Sequence, residues 1–342
     1  MEDSGSVGPG TGWIPAHLVV QEAGSLIAAM PLYKKHHSWG EYVFDWAWAD
    51  AYRQHGLDYY PKWLSAIPFT PVAGPRLLAR DDSAREILLS LALRLADESG
   101  LSSLHILLPD VTDSAALQRN GFMMRQGVQF QWLNRDYRDF DDFLMQLQRD
   151  KRKKIRQERR RAQAHGLRLE WLDGHTATAE DWAFFHHCYA RTYALHRSTP
   201  YLSAEFFPLA AQRMPDGLRL LIARRGDSPV AAAFFLRDQD ALYGRYWGAT
   251  ESLPFLHFEL CYYAAIEYCI THDVARFEGG AQGEHKLSRG LEPVVTHSAH
   301  WLRDERFADA VDRFLERETT GIGFYLDELS ERTPFRQAET SR

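Results

Sequence analysis

The sequence predicts an α/β (α+β) protein of two lobes, each built on a central mixed β-sheet, joined by a basic linker helix. Three observations carry this. Residues 13–133 read as β-β-α-β-α-β-α-β. A comparable order of strands and helices recurs from Leu167 onward. Between them, 134–166 begins acidic, turns strongly basic and ends on Gly166, a charge order that suits one long helix and its dipole. The 342 residues exceed one ordinary domain and suffice for two. The expected organisation is a first lobe over 1–133, a linker helix over 134–166, a second lobe over 167–330 and a frayed tail over 331–342.

The elements follow in order. HLVVQEAGSLIAAMPL alternates and breaks at Gly24, a hairpin with a tight turn over 22–25. The aromatic and charged run over 34–56 predicts a loop, then a helix stopped by Gly56. KWLSAIPFTPV predicts a strand. Ser83 with Glu86 predicts a capped helix with an apolar face to Leu95, ended by Gly100. SSLHILLP is a short buried strand, DSAALQRNG a short helix and FMMRQGVQFQWL a closing strand. After the linker, LRLEWL predicts a strand, followed by helices through Ala211 and a hairpin over 218–249. LHFELCYYAAIEYCITHD predicts an apolar helix, ARFEGGA and THSAHWL strands, and 307–329 a final helix.

Composition excludes several classes. A net charge of −6 does not draw nucleic acid or anionic lipid at long range. Three cysteines without close pairs argue against a disulfide framework or a zinc knot. The acidic, Gly-rich start is no signal peptide. The longest apolar stretch, around 253–270, contains Glu259 and Glu267 and reads as a buried helix, not a span. A cytoplasmic protein is expected. No H-x-x-x-H spacing suggests a metal, and no Gly-x-Ser-x-Gly elbow suggests a serine hydrolase.

Four clusters could carry chemistry. FEGGAQGEHKLSRG, 277–290, runs from a strand into three glycines, which let backbone approach a ligand closely. Glu278, Glu284 and His285 are candidates to take a proton from an attacking amine or hydroxyl. Backbone N–H groups or Lys286 would steady the developing oxyanion, and Arg289 lies three residues on. The plain alternative is a charged surface loop. In KKHHSWGEYVFDWAWADAY, Glu41 and Asp45 would share one helical face with Trp48, a pocket for a cationic group; the alternative is an amphipathic helix facing the core. The loop IPFTPVAGPRLL precedes a helix, where a phosphate could sit, although three prolines remove donors. The basic run KRKKIRQERRR offers an anion grip or a solvated face. Glu259, on an apolar helix, should either point into a polar cleft or pair with a base.

The segments PLYKKHHSWGEYVFDWAWADAY, AIPFTPVAGPRLL, LYGRYWGATESLPFLHFELCYYAAIEY and FEGGAQGEHKLSRGLEPVVTHSAHW resemble the bacterial FemAB-like "peptidoglycan biosynthesis/recognition" family, part of the GNAT N-acyltransferase superfamily. The resemblance runs from about residue 5 to 328. It implies two GNAT-like lobes, an acyl-CoA (acetyl-CoA) or aminoacyl-tRNA donor with no tightly bound cofactor, and an amine acceptor linked to peptidoglycan. Neither TPVAGPRLL nor the segment before LHFELCYY matches the usual Arg/Gln-x-x-Gly-x-Gly/Ala pyrophosphate loop, so CoA use is not implied by motif. Family members usually open with an extra helix, which suggests a shortened first lobe here. On this reading Glu278, Glu284 or His285 is the base, Lys286 and Arg289 anchor anions, Glu41 and Asp45 hold the acceptor beside Trp48, and Lys153, Lys154 and Arg156 meet the donor's phosphates. Tyr246, Glu259 and Gln282 complete the substrate-binding set. Two other classes remain open: a non-catalytic module recognising a cell-wall precursor or peptide, and an RNA-binding protein using the basic helix.

Overall fold

The computed structural model describes residues 1–280 and 283–336. Eleven strands form one mixed sheet. From edge to edge they are β1 (Trp13–Pro15), β4 (Tyr33–Lys35), β5 (Lys62–Ser65), β7 (Ser103–Leu107), β14 (Glu292–Leu302), β8 (Met123–Leu133), β13 (Arg276–Glu278), β12 (Ala241–Ala249), β11 (Ser228–Arg237), β10 (Leu218–Arg225) and β9 (Arg168–Asp173). A small sheet of β2 (Leu18–Glu22), β3 (Ser25–Met30) and β6 (Leu78–Ala79) stands apart. The expected hairpin over 17–32 is the β2–β3 pair.

The mixed α/β class is as expected, but the two sheets are continuous. β14 lies between β7 and β8, antiparallel to both, and β8 pairs with β13. Local periodicity could not reveal this, because the pairing joins segments more than 140 residues apart. Parallel pairs occur at β5/β7 and β12/β13.

Helices α1 (Trp46–Gln54), α2 (Asp82–Glu98), α3 (Val111–Arg119), α4 (Phe140–Gln146), α5 (Arg149–Gln163), α6 (Ala179–Leu195) and α7 (Phe206–Arg213) follow in chain order. Then come α8 (Leu256–Phe258), a π turn (Glu259–Tyr263), α9 (Ala264–Thr271) and α10 (Glu305–Glu331). Three expectations change. Asp81, not Ser83, caps α2, accepting from the Ala84 N–H at 2.8 Å; a carboxylate there also meets the helix dipole. The single linker helix is two helices, broken where Leu147 turns extended. Its residues 146–148 instead pair with a strand-like segment: the Gln148 N–H donates to Pro334 O at 2.8 Å and that of Arg336 to Gln146 O at 2.9 Å. So residues 333–336 are docked, not frayed, while 337–342 lie outside the described residues.

Side chains alternate across the sheet. Phe130, Trp132, Phe277, Ala233 and Phe235 pack on one side with Phe143, Leu260 and Tyr263 from α4 and the π turn. Phe234, Leu220 and Ile222 pack on the other with Phe185 and Phe207 from α6 and α7. β12 packs tightly on α6 at Gly248, where an added Cβ would sit 2.2 Å from the Cys188 carbonyl oxygen. Backbone cannot rotate aside, so Gly248→Ala is expected to cost about 1–3 kcal/mol, read from the urea midpoint.

Candidate functional site

β12 and β13 pair in parallel only over residues 241–243 and 276–278. Beyond that they diverge. β12 carries a bulge at Arg245, since Phe234 faces Tyr246 while Phe235 faces Gly244; bulges of this kind re-aim side chains beside active sites. β13 stops at Glu278 and gives way to Gly279 and Gly280, the latter at φ +85°. A narrow slot of about 110 Å³ opens between the strands, lined by Gly244, Tyr246, Trp247, His257, Tyr262, Gly279 and Gly280. A Cβ on Gly279 would press within 3.0 Å of Leu291 and 3.3 Å of Tyr262.

On the α5 side of the sheet the slot adjoins a basin of about 640 Å³. Lys151, Lys154 and Glu158 reach it from one face of α5, with Phe258, His285, Arg289 and Arg332 opposite. Arg289 is 3% exposed, with its guanidinium 3.6 Å from the Phe258 ring centroid. It donates to His285 O at 2.7 Å and to Glu158 Oε2 at 3.1 Å, and Tyr263 OH donates to the same Glu158 oxygen. Its Nε has no partner among the described residues. Tyr262 OH, 3.1 Å from His285 Nε2, walls the basin from the slot. Lys286 lies behind that wall, 2% exposed, donating to Gly280 O at 2.7 Å. Burial brings its ammonium down to about 8. Burial, then the cations of this cluster, holds His257 down to about 4.

Glu278 faces the other side of the sheet, since Phe277 beside it is core. It is opposite Gln131 on β8 and Tyr243 on β12. Burial raises its carboxyl, opposed by the Arg276 guanidinium, 3.2 Å away. On that side, β8 and β14 floor a groove of about 280 Å³ lined by Arg125, Gln129, Thr296 and Ser298, with Tyr42 and Phe44 on one wall and Glu318 and Ile322 of α10 on the other. Arg125 grips Glu318 with two bonds of 2.8 and 2.7 Å. Tyr42 holds φ +63°, an uncommon state for a bulky residue. Arg245 and Tyr246 both donate to Phe69 O, the latter at 3.2 Å, and tie the two halves together.

The structure therefore gathers Glu284, His285, Arg289 and Lys154 around one basin, with Tyr246 lining the slot, Lys286 bonded to the slot's Gly280 carbonyl and Glu278 facing the other side of the sheet. Glu284 is half exposed and accepts from Tyr325 OH and Arg332, both at 3.0 Å, which lowers its pKa. Gln282 lies outside the described residues. Helical phase turns Lys153 and Arg156 away; Arg156 pairs with Asp141 at 2.8 Å. Glu259 does not line the cleft: it is 3% exposed and paired with Arg159 at 2.9 Å. Glu41, Asp45 and Trp48 do not form an acceptor pocket. The helix starts at Trp46, so Glu41 lies in a loop and Asp45 at the N-cap. Both carboxylates are enclosed with Lys62 and Lys35, and Trp48 packs on His300.

The loop 72–76 is filled from within. Arg76 donates to Val72 O, Gly74 O and Leu107 O at 2.7–3.0 Å, so carbonyls rather than N–H groups converge and no anion fits. Sequence reading missed the π turn, the bulge, Phe258, Tyr262 and Glu158. Gly244 and Gly248 inside a strand were an available signal for the bulge.

Among the described residues no helix is long and apolar enough to cross a membrane, and no group of three or more His, Cys, Asp or Glu could hold a metal ion. A family model, FemAB-like, described as peptidoglycan biosynthesis/recognition, matches residues 1–337. Among solved structures, the crystal structure of FemX superposes with a TM-score of 0.52 at 13% identity, covering 88% of this chain and 91% of that one. The structure of L-PGS from Bacillus licheniformis gives 0.54 at 11% identity, covering 90% and 89%. These likenesses are of fold. No curated protein matches the chain.

Proposed function

The chain belongs to the FemAB-like family, matched over residues 1–337, and on that premise we propose that it transfers an acyl or aminoacyl group from an activated donor to an amine acceptor. One observation carries the reading. A cationic basin and a buried carboxyl of raised proton affinity lie on opposite sides of the sheet, and a slot opens between β12 and β13, parted from the basin by the Tyr262 side chain. The donor's phosphates meet Lys151, Lys154 and Arg289, and its thin arm enters the slot. The acceptor occupies the groove on Glu278's side of the sheet. The family description, peptidoglycan biosynthesis/recognition, supports an acceptor from the cell envelope.

The amine nitrogen attacks the acyl carbon, and the bond to the donor's leaving sulfur or oxygen breaks. Glu278 takes the proton the nitrogen sheds; its raised pKa brings it nearer the operating pH, where a general base works best. Lys286 and backbone N–H groups freed at the bulge face the carbonyl oxygen as it gains charge. The leaving group departs toward the basin.

Thermal stability against acetyl-CoA, longer acyl-CoAs, free CoA and aminoacyl-tRNA tests this. A donor at about 100 times its Kd should stabilise by roughly 2.7 kcal/mol. Arg289→Met is expected to abolish that shift, and rising salt to weaken binding. Protection by none of these donors would sink the transferase reading. Saturable binding of muropeptides without acylated product would establish a recognition module instead.

A further inference from the structure

Behind the groove, the N-terminal half encloses a chain of hydrogen bonds that starts at the groove floor. Ser298 Oγ lies 2.9 Å from His300 Nε2, and His300 Nδ1 lies 2.8 Å from His105 Nδ1. His105 Nε2 is 3.0 Å from Tyr59 OH, which donates to Asp45 Oδ2 at 2.6 Å. Asp45 is paired with Lys62, whose Nζ also donates to Glu41 Oε2 at 2.9 Å. Each of these seven residues is at most 4% exposed.

The chain has a direction. Burial holds His105 down to about 3 and His300 well below its ordinary value, so each ring is neutral and carries one N–H. Tyr59 spends its proton on Asp45, which leaves its oxygen to accept His105 Nε2–H, with the Ser103 hydroxyl oxygen, 2.8 Å from the same nitrogen, as a second acceptor in this arrangement. His105 Nδ1 is then an acceptor, and His300 Nδ1–H donates to it. His300 Nε2 in turn accepts from the Ser298 hydroxyl. Every donor points away from the groove and toward the carboxylates. The far end has room for a proton: Glu41 Oε1 and Asp45 Oδ1 have no hydrogen-bond partner among the described residues.

We propose that Ser298, His300, His105, Tyr59, Asp45, Lys62 and Glu41 form a proton relay that drains the groove into the buried carboxylates. It rests on the groove being the acceptor site. Each step moves a proton along an existing bond. Ser298 receives one from the acceptor's ammonium and passes its own to His300 Nε2. His300 gives Nδ1–H to His105, His105 gives Nε2–H to Tyr59, and Tyr59 protonates Asp45. Lys62 passes a proton to Glu41 and takes that of Asp45. The acceptor loses one positive charge, Glu41 one negative charge, and every group between is left as charged as before. Both histidines end in the opposite tautomer, so a second proton waits for the chain to reset.

The surroundings suit this. Lys35 from β4, 3.8 Å from Glu41 Oε1, and Lys62 from β5 face the carboxylates, Tyr60 and Ser38 flank Lys62, and Arg125 from β8 lies over Trp48. Burial pushes Glu41 up to about 7 and Lys35 down to about 7, so the cluster exchanges a proton near neutrality.

The test uses the full chain without substrate. In ¹⁵N-histidine spectra the expected result is His300 protonated at Nδ1 and His105 at Nε2. In the infrared, a protonated-carboxyl band should appear as pH falls through neutrality and be missing in Glu41→Gln. After a pH jump that band should form about tenfold or more slowly in Tyr59→Phe and in Ser298→Ala, while Ser38→Ala, beyond Lys62 at the far end, leaves the rate unchanged. Reversed tautomers, or equal rates in wild type and Ser298→Ala, overturn the relay; Ser298→Ala keeps the test open if Tyr59→Phe does not fold. An intact relay in a protein that transfers nothing would sink the acceptor reading and leave the relay standing.

Discussion

Replacing Lys62 with Met is expected to destabilise the protein by about 3–5 kcal/mol, because it leaves two carboxylates buried without their main counter-charge. Lys62 is fully buried between Asp45 and Glu41, and its charge holds the Asp45 carboxyl well below the usual range against burial. Adding Asp45→Asn should recover part of the loss, since it removes a charge that the single variant strands. Urea midpoints of the single and double variants measure both. A loss under about 1 kcal/mol would mean that water reaches the cluster.

The same cluster sets a pH signature. Burial raises Glu41 from 4.5 to about 7, so between those values the folded chain keeps a proton the unfolded chain has lost, and stability falls as pH rises. Burial lowers Lys35 from 10.5 to about 7, so above 7 the unfolded chain holds a proton the folded one lacks, and stability rises. These two groups together give a minimum near pH 7. Lys35→Met with Glu41→Gln should flatten it.

Glu278→Gln is the second large effect. The amide keeps the size and the contact with Arg276 but cannot take a proton. With a donor and acceptor in hand, kcat should fall by about 10²–10⁴-fold, while the donor's Kd stays unchanged because the basin lies across the sheet. Undiminished kcat would pass the role of base to another group on the acceptor's side of the sheet.

How much of this was legible depended on distance along the chain. The motif over 278–290 announces itself, since glycines and chemistry-bearing side chains crowd a strand end. Its partners do not. Lys154 and Glu158 lie more than 100 residues away, and only the break at Leu147, set by the docked 333–336 segment, aims α5 at the motif. Glu41 and Asp45 were noticed for the right reason, as carboxylates among aromatics. Their helical spacing misled, because the left-handed turn at Tyr42 starts the helix later. Nothing local shows that Lys62 and the His105–His300 pair close over them.

The position of β14 bears on how the protein is made. Until residue 302 has left the ribosome, β7 and β8 each present an open edge where the strand between them belongs. Such edges pair readily with other chains. The N-terminal half therefore cannot mature during synthesis as an early-folding unit. It must wait for nearly the whole polypeptide, and in that interval it depends on chaperones or on speed.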